Sequence, residues 1–341
     1  MKKRISILDV ARTAGVSKST VSRVLNGESA SEYARSAVRQ AIEKTNYHPN
    51  VMARGLRGVK TRVVGIVTVN CNAFLENHIS QRFAGMNEIL LQAGYSMLLI
   101  NSDIDSDISP LQNGLRFLQE NRIDGLICIG QPDESDDLQK IQEFREVVYT
   151  GERINQSKGF RVYLGNYNYS RDLYQYLFSN GHRKILTLVG QYTGRALRVR
   201  REDAYQDICR LYGSAFDEAS FFNYAAYASA RRDQLQGILQ AFHDGGYTAI
   251  FADNDELAYQ IEAFFSEKGL LNAQDYSIVT IYRSGKAVEE SEITGIELSD
   301  YRYGEVCARL ILDVIENPAL EYQDVVIPYQ FHIQNSVKNI D

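Results

Sequence analysis

The stretch Gly15-Val16-Ser17-Lys18-Ser19-Thr20-Val21-Ser22-Arg23-Val24-Leu25-Asn26 decides how the start of this chain folds. Gly15 ends an apolar-periodic run from Ile7 to Ala14, in which Leu8, Val10 and Ala11 are the apolar positions. A glycine there suits the tight turn between two helices. Ser17 is a good N-cap and predicts a second helix over Lys18 to Leu25. Val21, Val24 and Leu25 recur at helical spacing and face inward. Lys18, Ser19, Ser22 and Arg23 then face outward, and Asn26 with Gly27 stops the helix. A third helix, about Glu32 to Thr45, carries Ala34, Val38, Ala41 and Ile42 on one face. Three such helices bury one small core. On spacing alone they read rather as a generic bundle with a solvated face. The polar, cationic N-terminal end of the second helix favours a nucleic-acid reading head, because that end approaches base edges.

The next segment sharpens this. Tyr47-His48-Pro49-Asn50 reads as a turn, and the sequence of residues 51–58 predicts two turns of helix capped by Asn50. Met52 and Leu56 are exposed there beside Arg54 and Arg57. A helix this short is not stable alone in water. A DNA minor groove, entered by an apolar wedge with flanking arginines, is a fitting partner surface. Charge agrees. Residues 1–60 carry a net +8 and the remainder a net −14, together the overall −6. A basic head is drawn to phosphate, while an acidic body keeps the rest of the surface off it.

The remaining bulk properties are those of an ordinary globular protein. A length of 341 residues suggests two or three domains. No apolar run approaches a membrane span and no secretory leader opens the chain, so a cytoplasmic location is expected. Cysteines at 71, 128, 209 and 307 fit neither a zinc pattern nor a disulfide framework.

From Arg62 the texture changes. Val63 to Val69 is a continuous run of the kind buried on both faces of a sheet. Helical and strand patterns alternate after it: 79–93 helical, 94–100 strand, 115–120 helical, 125–129 strand. The strand pattern restarts at 161–164, 184–189, 249–252 and 277–281. Alternation of this kind predicts parallel βαβ units and two doubly wound lobes with a cleft between them. Ligands bind at the carboxyl ends of strands in such sheets. No dinucleotide fingerprint, phosphate loop or nucleophile elbow is present, and the five histidines form no metal-spaced pair. An enzyme is therefore not expected, nor any cofactor or metal. His182 reads as a packing histidine, and Asp253-Asn254-Asp255-Glu256 as a helix cap.

Residues 7–11, 15–26 and 46–58 resemble the lactose/galactose repressor family through the whole head and hinge. The loop after Asn26 is about a residue shorter than usual. Gly65-Ile66, residues 123–127, Gly181-His182-Arg183-Lys184-Ile185, Gly190 and residues 254–258 extend the resemblance to a periplasmic-binding-protein type I body. It implies an all-α helix-turn-helix head over 1–48, a hinge over 49–61, and an α/β body of two doubly wound lobes over 62–341. The first lobe would hold about 62–163 and 294–321, the second 164–293 and 322–341. DNA contact is implied for Ser17, Lys18, Ser19, Thr20, Ser22, Arg23 and Asn26 in the head, and for Asn50, Ala53, Arg54, Leu56 and Arg57 in the hinge. Effector contact is implied for Glu76, Ser102, Asn166, Arg200, Arg201, Asn254 and Arg283. The implied partners are a palindromic double-stranded operator, a carbohydrate effector and a second copy of the chain, with no membrane. The implied function is repression of a carbohydrate-utilisation operon by a protein that lies on the nucleoid when bound. A sugar-binding module without a DNA role is the alternative.

The cleft departs from the family pattern. Gly165-Asn166 stands where many sugar-binding members have Asp-Asn, and Tyr282-Arg283 where many have acidic residues. With Arg200, Arg201 and Arg283 near the cleft, either an anionic effector such as a sugar phosphate is expected or these arginines make surface salt bridges. The stretch 54–67, with Leu75-Glu76-Asn77, is also similar to trehalose-operon repressors, whose effector is trehalose 6-phosphate. The arginine those proteins place after the first strand is Asn70 or Cys71 here.

Overall fold

The computed structural model describes residues 5–25, 29–45, 47, 60–68, 77–101, 108–130, 143–152, 158–190, 195–224, 232–283 and 288–340. The chain divides into two compact units, Met1–Thr61 and Arg62–Asp341.

The first unit has helices α1 (Ile7–Ala14), α2 (Lys18–Leu25) and α3 (Glu32–Thr45). Local chemistry sets their ends. The Ser6 amide donates to Asp9 Oδ2 at 2.9 Å, opening α1. Gly15, at φ +67°, turns its N–H back to the Ala11 carbonyl and closes it. Ser17 Oγ accepts from the Thr20 amide at 3.1 Å and caps α2. Ser31 Oγ does the same for the Ala34 amide at 3.3 Å, opening α3. One valine from each helix, Val10, Val21 and Val38, is fully buried, with Ala11, Ala14 and Ala41 closing around them. Each such valine contributes roughly 1.5–3 kcal/mol. Leu8 departs from the expected apolar face: it is 54% exposed, off the stripe that Ile7, Val10 and Ala14 make.

Among the described residues the second unit holds two six-stranded sheets. The first contains β1 (Val63–Thr68), β2 (Ser96–Leu99), β3 (Gly125–Ile129), β4 (Val147–Thr150), β5 (Phe160–Tyr163) and β11 (Asp324–Val326). Its order is β11-β5-β4-β3-β1-β2. The second contains β6 (Ile185–Gly190), β7 (Phe221–Tyr224), β8 (Ala249–Phe251), β9 (Ser277–Tyr282), β10 (Thr294–Glu297) and β12 (Gln330–His332). Its order is β12-β10-β9-β8-β6-β7. Pairings are parallel except β10 with β12. The helices are α4 (Asn77–Gln92), α5 (Pro110–Gln119), α6 (Asn166–Ser179), α7 (Arg195–Leu211), α8 (Arg232–Asp244), α9 (Asp255–Glu267) and α10 (Asp300–Glu316).

The chain crosses between sheets three times. The first crossing follows β5, next to Leu164. The other two fall later than the sequence suggests. Gly295 pairs with Thr280, so 294–297 belongs to the second lobe and the crossing follows Glu297. Val325 pairs with Val162, so 324–326 belongs to the first lobe and the last crossing follows Val326. Short strands carry little pattern of their own, and only their partners assign them to a lobe.

After the second crossing α10 returns to lie on α4. A Cβ at Gly304 would overlap the Arg82 carbonyl oxygen and come within 2.9 Å of the Met86 nitrogen. One at Gly85 would overlap the Tyr301 carbonyl and reach the Glu305 nitrogen at 3.0 Å. The two helices thus touch backbone to backbone.

Candidate functional site

In the second sheet the chain winds away from β6 in both directions, to β7 on one side and β8 on the other. A crevice opens at the carboxyl ends of such a pair of strands. Asp253 lies two residues beyond β8, and its Oδ2 accepts from the Gly190 amide at the end of β6, at 3.4 Å. Its Oδ1 is 2.5 Å from Nη2 of Arg201, whose side chain is fully buried on α7. Nε and Nη1 of that guanidinium are buried without a well-formed hydrogen bond. Phe251 lies 5.1 Å from it, ring centroid to Cζ. Burial alone would lower the pKa of Arg201, but Asp253, Tyr169 and Tyr174 outweigh it and hold the charge more firmly than usual.

Tyr169 ties this pair to the first lobe. Burial raises its phenol, while Arg201 and Arg283 pull it back. The hydroxyl donates to Asn166 Oδ1, and the Asn166 amide and Nδ2 donate to Glu152 Oε1 at 2.7 and 2.8 Å. Glu152 follows β4, and Asn166 opens α6 after β5. Beyond β9, Arg283 Nη1 stands 3.5 Å from Asp300 Oδ2. Asp300 is itself buried at the start of α10 and accepts from Arg82 Nε of α4 at 2.6 Å.

Asn166, Arg201 and Arg283 are therefore brought together, as the sequence suggests. Arg200 is not: one step along α7 from Arg201, its side chain is 38% exposed and bridges Asp203 at 3.4 Å. Asn254 adjoins the site, but its Oδ1 caps α9 through the Leu257 amide at 2.8 Å and its Nδ2 donates to Tyr224 at 3.3 Å. Glu76 and Ser102 lie outside the described residues. The acidic run 253–256 is only partly a cap. Asn254 caps, whereas Asp253 is the counter-ion of Arg201. His182 is a packing residue, fully buried with Thr248 Oγ1 at 2.9 Å and the Lys338 carbonyl at 3.1 Å on its two nitrogens.

The expected shortage of carboxylates does not hold. Among the described residues, Asp300 pairs with Arg82 and Arg283, Asp253 pairs with Arg201, and Asp255 lies in the field of Arg283, while Glu152 accepts from Asn166. Burial raises the Asp255 carboxyl, against the pull of its own and the Glu256 backbone amides and then of Arg283. Glu152, Asp300, Tyr169 and Arg82 carry no signal in the sequence that marks them as site residues, and Asp253 reads there only as part of a cap, because Arg201 is far from it along the chain. Arg82 and Asp300 are 218 positions apart.

In the first unit Lys18, Ser19 and Arg23 are exposed, while Thr20 and Ser22 are half-buried. Ser17 Oγ lies 2.7 Å from Ser19 Oγ and 2.8 Å from Thr20 Oγ1, so the cap also orders the first turn of α2. Asn26, Asn50, Ala53, Arg54, Leu56 and Arg57 lie outside the described residues. No group of metal-ligating side chains is found among the described residues, nor any helix long and apolar enough to cross a membrane.

A head whose described residues form three helices, followed in the chain by a two-lobed, doubly wound body, defines a class, that of regulators built on a periplasmic-binding fold. The profile of bacterial regulatory proteins of the lacI family matches residues 6–50. That of periplasmic binding proteins and the sugar-binding domain of the LacI family matches residues 76–335. The chain belongs to the LacI family of transcriptional regulators. It is 28% identical to catabolite control protein A of Streptococcus mutans, over 98% of both chains. It is 27% identical to the HTH-type transcriptional repressor PurR of Mannheimia succiniciproducens, over 98% of this chain and 99% of that one. The lac repressor dimer bound to operator and the anti-inducer ONPF shares the fold at a TM-score of 0.80 and 21% identity, covering 98% of this chain and 100% of that one. The transcriptional regulator CelR in complex with cellobiose does so at 0.66 and 24%, over the same shares.

Proposed function

We propose that this protein is a cytoplasmic, dimeric repressor that binds a palindromic operator and is switched by a carbohydrate in the cleft of its body, without catalysing a reaction. One observation carries the effector assignment: the buried Arg201–Asp253 pair at the β6/β8 crevice. A neutral hydroxyl both donates and accepts, so it fits between a guanidinium and a carboxylate that already satisfy one another's charge. With carboxylates matching the arginines, a neutral hydroxyl-rich ligand is favoured over the anionic one. Relatives support the class: CelR is solved with cellobiose, and the lac repressor as a dimer on operator. Leu91, Leu98 and Leu99, exposed around the β2 edge, suit cover by a second copy. Titration calorimetry with paired sugars and sugar phosphates tests the reading. Heat from a neutral sugar, with weaker or no binding of its phosphate, is expected. Preference for the phosphate would restore the anionic effector.

For the head, the reading of Lys18, Ser19 and Arg23 as base readers is supported by their exposure on α2. A bidentate arginine–guanine pair discriminates by about 1–3 kcal/mol. Arg23→Ala is therefore expected to weaken binding to a selected palindromic operator roughly tenfold to a hundredfold, and binding to random DNA far less. Fluorescence anisotropy on both DNAs measures this, and equal losses would remove the base-reading role.

A further inference from the structure

We propose that Asp300 sets the charge class of the ligand the cleft accepts. It acts as a built-in anion that occupies Arg283 and Arg82, so that the site takes neutral ligands and turns away anionic ones. The proposal rests on the reading of the cleft as the effector site. Three observations carry it. Arg283 is the most accessible of the three cleft arginines, with a side chain 26% exposed against 10% for Arg82 and none for Arg201. It lies close enough to Tyr169 and Asp255 to act on both, so it faces the same space as the Arg201–Asp253 pair. The carboxylate behind it is held from the other side: Arg82 donates to Asp300 at 2.6 Å and is stacked 4.3 Å over the Tyr303 ring, whose hydroxyl donates to the Val162 carbonyl at 2.8 Å.

Asp300 is thus positioned by a rigid framework rather than by a mobile surface contact. Backbone contact at Gly85 and Gly304 fixes α4 against α10 beside it. The framework denies Asp300 the movement needed to release Arg283 to an incoming phosphate. Two guanidiniums sharing one carboxylate would otherwise form a strong site for a phosphate or carboxylate group. A phosphate entering the native site meets the field of Asp300 close behind Arg283, in a partly desolvated setting where like charges repel strongly. Asp300 touches no ligand in this scheme, and its effect passes through Arg283.

The test compares thermal unfolding midpoints of the full chain without DNA, in inorganic phosphate and in chloride at equal ionic strength. Wild type is expected to show only the small rise that a kosmotropic anion gives any folded protein, and the responses of the variants are read above it. Asp300→Asn keeps the side-chain shape but leaves Arg82 and Arg283 without their shared anion. Its midpoint should be lower in chloride and higher by roughly 2–4 °C in phosphate, the shift that a stabilisation of about tenfold gives in a unit of this size. Asp300→Asn with Arg283→Gln should lose the phosphate response. Should D300N not accumulate as folded protein, Arg82→Met with Asp300→Asn removes one charge of each sign. A smaller phosphate response, now from Arg283 alone, is then expected. A phosphate-independent midpoint in the Asp300 variants would overturn the proposal, as would a wild-type midpoint that rises as much as theirs. Failure of the effector reading looks different: no sugar or sugar phosphate binds the wild type, or binding survives Arg201→Met.

Discussion

Gly304→Ala is expected to lower the unfolding free energy of the body by about 3 kcal/mol or more, the upper range for overpacking a well-packed contact. The sign is the informative part. In an exposed helix interior the same change stabilises, because alanine is the better helix former by about 1 kcal/mol. Here the added methyl meets the Arg82 carbonyl oxygen and the Met86 nitrogen, and backbone atoms cannot rotate aside as a side chain does. The α4–α10 pair must separate, which also draws Arg82 from Asp300. Gly15→Ala is a useful contrast. A Cβ there meets nothing within 4 Å, so only the left-handed backbone at φ +67° opposes it. That strain costs about 1–2 kcal/mol and confines itself to the head. The chain has no tryptophan, so urea unfolding is followed by tyrosine fluorescence and far-ultraviolet dichroism. A loss below about 1 kcal/mol for Gly304→Ala would mean that the helices slide apart freely.

The same contrast explains what could be read from the sequence. Gly15, Ser17 and Ser31 act within four residues of themselves, so α1, α2 and α3 have the bounds their caps and periodicity predict. β1, β3, β6 and β9 are buried on both faces and announce themselves as unbroken apolar runs. Gly304 looks like any helix glycine until α4 is laid against it. β10 and β11 are too short to carry periodicity, so the crossings at Glu297 and Val326 emerge only from pairing with β9 and β5. The cleft follows the same rule. Arg201 and Arg283 were visible as arginines at the right places, but their carboxylates come from other strands and helices. A count of local residues therefore made the site look cationic. Its balance is a property of the fold.

Removing one member of the Arg201–Asp253 pair should have the largest effect on the switch itself. Asp253→Ala leaves a fully buried guanidinium without its counter-ion, and losing one partner of a buried pair typically costs about 3–5 kcal/mol. Tyr169 and Phe251 give that charge no substitute anion. Arg201→Met removes the buried charge and leaves Asp253, 15% exposed, in reach of water, so the loss is expected to be about half as large or less. Arg201→Met combined with Asp253→Asn should cost less than Asp253→Ala alone, because neither charge remains to be compensated. Urea midpoints of the three variants give this order, and a combined variant as unstable as Asp253→Ala would show that packing rather than charge holds the site. All three should still bind operator in the head's own manner, yet none should respond to a sugar that shifts the wild type. Operator anisotropy with and without that sugar separates the two roles. Retention of the response in Arg201→Met would move the effector away from the β6/β8 crevice. Its loss, in a protein that keeps its operator affinity, would make the pair the point at which the ligand is sensed.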